Sequence, residues 1–415
     1  MTIEIIAATL FVVALVHTFS VKFFERLASK YPRHAGLFHL LGEVEVVFGF
    51  WAVVLVCVMA LVSGGSSAVA YAESRQYAEP LFVFVIMVIA ASRPVLVTVQ
   101  NALFLAAKIL PVRTVVARVW LGLAAMPLMG SLITEPASMT LAALTLAPMV
   151  FRNGIPEKTK YVALGVLFVN ISIGGTLTAF AAPPVLMVSS TWNWDSMFMA
   201  TTFGWKATIA VIINATAVTL LLSKHLKDPS SEGVLEDGVR VPLAISGLHF
   251  LFLAGVVTFA HHPVIFLGLF LLFLGFAQAY ERYQSELILK EALLVGFFLA
   301  GLVVLGGMQQ WWLQPIVSRL DPLQLFFGAT ALTAITDNAA LTYLGSLIEG
   351  ISDSSKYMLV AGALTGGGLT VIANAPNPAG VTLLKKGFED ETIGAGGLLL
   401  GALLPTAVAA SAFLL

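Results

Sequence analysis

Long apolar runs separated by short polar segments dominate the chain. Ten of them reach the length of about 17–25 residues that an α-helix needs to cross a bilayer. In the first half of the chain they cover residues 5–21, 37–62, 81–106, 161–188 and 201–222. In the second half they cover residues 241–260, 263–279, 292–308, 357–384 and 393–415. The pattern predicts an all-α polytopic membrane protein.

Two further apolar regions, residues 115–150 and 323–348, are interrupted by polar residues in the middle. The first interruption is Thr134-Glu135-Pro136 (the first tip) and the second is Thr336-Asp337-Asn338 (the second tip). Each flanking half is too short to span comfortably, so each region is predicted to be a re-entrant helical hairpin. A non-helical tip at membrane depth must lie inside protein or along a watery cavity.

The two halves of the chain carry matching motifs. The segment 174–178, GGTLT, resembles 366–370, GGGLT, and Ile133-Thr134-Glu135 resembles Ile335-Thr336-Asp337. Each half therefore reads as three spans, a hairpin, an interrupted helix and one more span. Because five spans is an odd number, the second half is inverted, which is typical of secondary transporters. The alternative for the glycine motif is a helix-packing patch.

The predicted boundaries follow from this repeat. The first repeat is 1–228, with hairpin 115–150, broken helix 161–188 and last span 201–222. The second is 241–415, with hairpin 323–348, broken helix 357–384 and last span 393–415. A cytoplasmic linker, 229–240, joins them.

Composition agrees with a lipid environment. The 415 residues are 59% hydrophobic and only 11% charged, and the mean hydropathy is +0.94. A net charge of −1 gives no case for nucleic-acid binding. The single cysteine, Cys57, excludes a disulfide framework and a Cys-rich metal site.

The basic residues predict an orientation in the plasma (inner) membrane. With the loop at residues 22–33 placed inside, 17 of the 22 Lys and Arg residues fall on the inner side. Both termini are then external. The first hairpin opens to the cytoplasm and the second to the outside.

An acid at each tip is the main chemical signal. A charged side chain at the bilayer centre costs about 3 kcal/mol or more, so Glu135 and Asp337 are expected to serve a function. Carboxylates are hard ligands for Na⁺, and Thr134, Thr336 and Asn338 add oxygen atoms. Because burial disfavours a charged carboxylate, a proton can compete with the cation. The alternative is that both acids only cap helices.

The interrupted helices supply further candidate ligands. Glycine and proline break helices and expose carbonyl groups, which bind cations. The backbone candidates are Gly174, Gly175, Gly367 and Gly368, and the side-chain candidates are Thr178, Thr370, Asn374 and Asn377. Turn formation by the two asparagines and bonding of each threonine to its own helix remain alternatives. We place a Na⁺ hypothetically at Asp337 and Asn377.

Three more charged residues lie in predicted spans. Glu43 and Glu45 lie in the inner half of the second span, and Arg93 lies in the adjacent span at comparable depth. They form either an ion pair that fastens a scaffold, or a proton path or second acidic site.

These features resemble the sodium/proton antiporter family of the ion-transporter superfamily, whose fold is related to arsenite pumps and divalent anion/sodium symporters. The likeness rests on LLGEVEVVFGFWA at 40–52, TDNAALTYLG at 336–345 and GGGLTVIANAPNPAG at 366–380. It implies a scaffold domain, a mobile transport domain, an elevator mechanism and a homodimer. It also places the ion site at the two tips and the two breaks.

The predicted function is exchange of Na⁺, or a similar cation, for H⁺ by alternating access. The carrier has no cofactor besides the transported ions. The alternatives are a sodium-coupled small-solute carrier or an arsenite-type carrier. An intramembrane enzyme with a carboxylate pair is the alternative of another class, although no HExxH motif is present.

Overall fold

The computed structural model of the chain describes residues 2–226 and 240–415, and the described residues form helices with no β-strand. The helices before the gap are α1 Thr2–Thr18, α2 Val21–Lys30, α3 Ala35–Gly42, α4 Val44–Ser63, α5 Gly65–Glu73, α6 Ala78–Ala90, α7 Arg93–Ile109, α8 Thr114–Leu123, α9 Ala125–Ile133, α10 Glu135–Leu146, α11 Glu157–Gly174, α12 Pro183–Trp192, α13 Ser196–Met199 and α14 Trp205–Leu222. A π-helical turn, Ala200–Gly204, joins α13 to α14.

The helices after the gap are α15 Leu243–Thr258, α16 Pro263–Ala279, α17 Leu289–Gly306, α18 Gln310–Val317, α19 Pro322–Thr333, α20 Asn338–Ser346, α21 Asp353–Gly366, α22 Asn377–Leu384 and α23 Ala395–Leu414. Short 3₁₀ turns lie at Pro32–His34, Gly175–Leu177, Glu281–Tyr283, Lys385–Gly387 and Glu389–Glu391. The predicted linker, 229–240, lies outside the described residues except for its last residue.

By length and composition, the described residues contain five helices able to cross a membrane, or up to eight candidate spans if each bent helix pair counts as one. The five are Glu45–Ser63, Glu157–Leu177, Ser196–Leu222, Leu289–Gly306 and Ala395–Leu414. The shorter apolar helices are Leu243–Thr258 and Pro263–Ala279. Most of the ten predicted runs thus correspond to one helix or one bent pair.

Two of the predicted runs are wrong as single continuous helices. The run 81–106 breaks between α6 and α7, which are bent by 63°. Pro94, near the start of α7, lacks the N–H that would continue the helix from α6. The run 37–62 breaks at Glu43, whose backbone is extended between α3 and α4.

The region 115–150 folds back on itself. α9 and α10 are joined by Thr134 alone, and Ser138 Oγ of α10 donates to the carbonyl of Met126 in α9 at 2.5 Å. Leu146 at the end of α10 lies against Gly122 in α8, so the two arms are antiparallel. The region 323–348 forms α19 and α20, and Leu341 of α20 packs against a cluster formed by Leu325 and Ala329 of α19 and Leu359 of α21.

The helices pack into two groups. α1, α4, α6, α15, α16 and α17 pack mostly on one another and form the first group. The second group contains α8 to α12, α14 and α19 to α23, with α11, α21 and α23 at its centre. The groups touch where Ser190 Oγ of α12 donates to Glu79 Oε1 of α6 at 2.7 Å.

Candidate functional site

The first tip contains a strained backbone position, Thr134, and a fully buried acid, Glu135. Thr134 has φ 74° and ψ 152°, a conformation that residues with a side chain rarely adopt. α10 begins at Glu135, whose side chain is 0% exposed. The expectation that Glu135 caps a helix is therefore wrong, because Thr134 holds the cap position and Glu135 lies inside the first turn.

Glu135 contacts an interrupted helix instead. The first break is segment 174–182, from the end of α11 to the start of α12, and the second break is segment 366–377, from the end of α21 to the start of α22; Glu135 contacts the second. Asn374 Nδ2 donates to Glu135 Oε2 at 2.8 Å, although the two residues are 239 positions apart. Gly175, from the first break, lies on the other side of the carboxylate, and a Cβ there would come within 2.8 Å of Oε1. The first tip is thus enclosed by both interrupted helices.

The second tip has a different geometry. Asp337 caps α20, as predicted, and its Oδ1 accepts from the backbone N–H groups of Ala339 at 2.8 Å and Ala340 at 3.1 Å. The next residue, Asn338, is fully buried and donates its backbone N–H to the carbonyl of Ala373 at 3.1 Å. The second tip therefore docks on the second break.

The symmetric threonines fasten each break to its own hairpin. Thr178 Oγ1 donates to the carbonyl of Ser131 at 2.7 Å, and Thr370 Oγ1 donates to the carbonyl of Ala334 at 2.8 Å. Neither hydroxyl bonds its own helix. The alternative that each of these threonines only bonds its own helix is therefore wrong. Thr336 does so, through the carbonyl of Leu332 at 2.8 Å.

The second break is also held by Asn377. Its Nδ2 donates to the carbonyls of Gly367 and Thr370, both at 2.8 Å. A Cβ at Gly367 would lie 2.9 Å from Asn338 Nδ2, so only glycine allows the tip and the break to approach this closely. Gly368 packs in the same way against the backbone of Val169.

The carbonyl of Gly174 in the first break is already engaged. Ser131 Oγ donates to it at 2.8 Å and accepts the backbone N–H of Leu177 at 2.9 Å. Ser131 was missed by the sequence analysis. It lies four residues before Glu135 in the chain, near the end of α9, and this nearness to the first tip was the available signal.

Several buried oxygen and nitrogen atoms around the tips have no hydrogen-bond partner among the described residues. They are Thr134 Oγ1, Glu135 Oε1, Asn338 Oδ1 and Nδ2, Asn374 Oδ1 and Asn377 Oδ1. Unpartnered buried polar atoms are rare in proteins and call for an explanation. Carboxylate, hydroxyl and amide oxygens are also the ligands that hard cations prefer.

The described residues contain no group of three or more His, Cys, Asp or Glu that could hold a metal ion.

A narrow cleft with a cavity volume of about 40 Å³ lies between the two helix groups beside the second tip. Its lining residues are Leu15, Thr18, Glu45, Phe48, Phe298, Thr336, Asp337, Val371, Ile372, Asn374, Ala375 and Pro378. Asp337 and Asn374 thus reach the cleft, whereas Glu135 does not line it.

The three remaining charged candidates, Glu43, Glu45 and Arg93, lie in different surroundings. Glu43 forms an ion pair with Lys290 at 3.4 Å, linking the start of α4 to α17. Glu45 lines the cleft and makes no ion pair with any residue in the ranges 2–226 and 240–415. Arg93 begins α7 at the bend.

The model of the family described as "Putative Na+/H+ antiporter" matches residues 2–415, which is nearly the whole chain. No curated protein matches the chain.

Proposed function

The chain belongs to the sodium/proton antiporter family, and from this premise we propose that it exchanges Na⁺, or a similar cation, for H⁺ by alternating access. The family and the apolar helices make the chain a membrane protein with a transport function. A transporter family also argues against an intramembrane enzyme.

One observation carries the proposal, namely the bond between Asn374 and the buried Glu135. It brings the first tip and the second break together in the interior. Glu135 Oε1 and Asn374 Oδ1 are left without partners among the described residues. A carboxylate oxygen and an amide oxygen beside the acid of the second tip form a donor set for which Na⁺ and H⁺ can compete.

Matched contacts support an inverted repeat. Thr178 and Thr370 bond their hairpins in the same manner. Ser172 Oγ donates to the carbonyl of Leu364 at 2.7 Å, and these two residues are equivalent in the repeat. An axis through this contact would relate two re-entrant hairpins entered from opposite sides, as alternating access requires.

The proposal extends to the cellular arrangement. The basic residues favour the plasma (inner) membrane with both termini external. The family resemblance favours a homodimer in which the second helix group moves against the first. No nucleic acid and no cofactor are required.

Exchange can be tested with the purified chain in liposomes. An outward or inward Na⁺ gradient, with no added solute, should drive proton movement that a pH-sensitive dye reports between about pH 6 and 9. A panel of Li⁺, K⁺ and divalent cations defines selectivity. The proposal fails if no cation gradient moves protons. Arsenite or a small solute that must be added before flux appears would favour the alternative carriers.

A further inference from the structure

The geometry points to a contribution to the cation site from the first helix group. We propose that Glu45, on α4 in the first helix group, supplies a ligand to a hard monovalent cation that binds at Asp337 in the second group. This inference rests on the proposed function, because it deepens the same site. It assigns to Glu45 direct contact with the cation.

Glu45 and Asp337 line the same cleft and interact electrostatically. Glu43, two residues earlier, has its own cation in Lys290, whereas Glu45 makes no ion pair among the described residues. Two carboxylates that line one apolar cleft disfavour each other's charged form, because the low dielectric screens them little.

Nothing in the cleft wall neutralises these acids. Among the described lining residues there is no Lys, Arg or His. The surrounding side chains include Phe48, Phe298 and Val371, which cannot solvate charge. A small cation between the carboxylates would remove the repulsion, and the site is therefore selective for positive charge.

An independent feature of Asn374 indicates a ligand at the same place. Asn374 lines the cleft but is only 1% exposed. Its Nδ2 is committed to Glu135, whereas its Oδ1 lacks a partner among the described residues. Glu45, Asp337 and this amide oxygen together form a donor set for a hard cation such as Na⁺ or Li⁺.

Glu45 lies on the first helix group, whereas Asp337 lies on the second. If the groups move during transport, Glu45 contributes to the site only when the cleft has the arrangement seen here. Its loss should therefore weaken cation capture without removing the site, whereas loss of Asp337 removes it.

The test compares Glu45→Gln with the wild-type chain in liposomes. The half-saturating Na⁺ concentration for proton exchange should rise about tenfold or more, the equivalent of about 1.4 kcal/mol, at a similar maximal rate. Glu291→Gln is the matched control, because Glu291 is an exposed acid in the first turn of α17. A half-saturating concentration for Glu45→Gln equal to that of Glu291→Gln would overturn the assignment.

A binding measurement separates this inference from the proposed function. Na⁺ titrated against a choline background should raise the melting temperature of the detergent-purified chain, and Glu45→Gln should need about tenfold more Na⁺. If wild-type chain moves no protons but this shift appears, antiport fails and the cleft site stands. Stabilisation by Ca²⁺ or Mg²⁺ at lower concentrations than Na⁺ would overturn the monovalent assignment.

Glu45→Asp covers the case in which Glu45→Gln does not fold. Asp keeps the charge on a shorter side chain, so its half-saturating Na⁺ concentration should lie above the wild-type value. Wild-type Na⁺ dependence in Glu45→Asp, in both flux and melting temperature, would contradict contact between this side chain and the cation.

Discussion

Asp337 and Glu135 occupy equivalent places in the sequence but different surroundings in the fold. Asp337 faces the cleft and already accepts two backbone N–H groups. Glu135 is fully buried and accepts a hydrogen bond from the side-chain N–H of Asn374. The two acids are therefore suited to different steps, with Asp337 reached first from the cleft.

Asp337→Asn is expected to abolish Na⁺-driven proton exchange while the protein still folds. Asn and Asp cap helices about equally well, so stability should change by less than about 1 kcal/mol. The charge that attracts the cation is lost, however. Dye-reported flux and thermal unfolding of the same preparation check both parts. Exchange at the wild-type apparent affinity would remove Asp337 from the site.

Glu135→Gln should lower exchange by about tenfold or more without lowering the melting temperature. Gln can still accept from Asn374, and a neutral amide costs less to bury than a carboxylate. Flux and melting temperature are again measured together. A large loss of stability would instead make Glu135 a structural charge, and unchanged flux would exclude it from proton handling.

Sequence reasoning identified both acids but could not pair Glu135 with Asn374. The repeat places each tip near a break, and contact between the first tip and the second break depends on how the two halves cross in three dimensions. The same limit applies to Glu45, whose neighbour Glu43 looks alike in sequence. Only the packing of α4 shows that one acid meets Lys290 and the other meets the cleft.

At the scale of helices, the interruptions determine where the site lies. The apolar pattern predicted α16 at its observed bounds, 263–279, because proline begins it and a polar segment follows it. The bend before α7 was missed since the apolar run continues across it, although the Arg93-Pro94 pair was a local signal. The breaks at 174–182 and 366–377 were predicted because glycines begin each of them and prolines lie at or just after its end.

Gly175→Ala tests whether the first break must approach the first tip. The new Cβ would lie 2.8 Å from Glu135 Oε1 and 3.2 Å from the Cβ of Ala182, so the carboxylate must move. Overpacking of this kind costs about 1–3 kcal/mol, and exchange should fall severalfold. Gly396→Ala in α23, where no atom lies within 4 Å, is the control. Equal flux and melting temperature in the two variants would contradict the close approach.

At the scale of the whole molecule, the two helix groups meet at both buried and exposed contacts. Inside the boundary, Tyr343 of α20 donates its hydroxyl to the carbonyl of Val303 in α17 at 3.0 Å. The bond between Ser190 and Glu79 joins α12 to α6 across the boundary. The sequence predicted a scaffold and a mobile domain only through the family resemblance, since no composition shift marks the boundary. Each group instead takes helices from both halves of the chain.

Cross-linking across this boundary tests whether the groups move during exchange. In a Cys57→Ser background, which has no other thiol, Glu79→Cys and Ser190→Cys place two thiols where side chains now meet at 2.7 Å. A short bifunctional thiol reagent should then stop Na⁺-driven proton flux, and a reducible reagent should allow recovery. The control pair, Gly255→Cys with Leu269→Cys, joins α15 to α16 within the first group, and its flux should persist. Full flux after complete cross-linking of α6 to α12 would mean that transport proceeds without relative movement at this contact, so the alternation would have to lie within the second group, at the tips themselves.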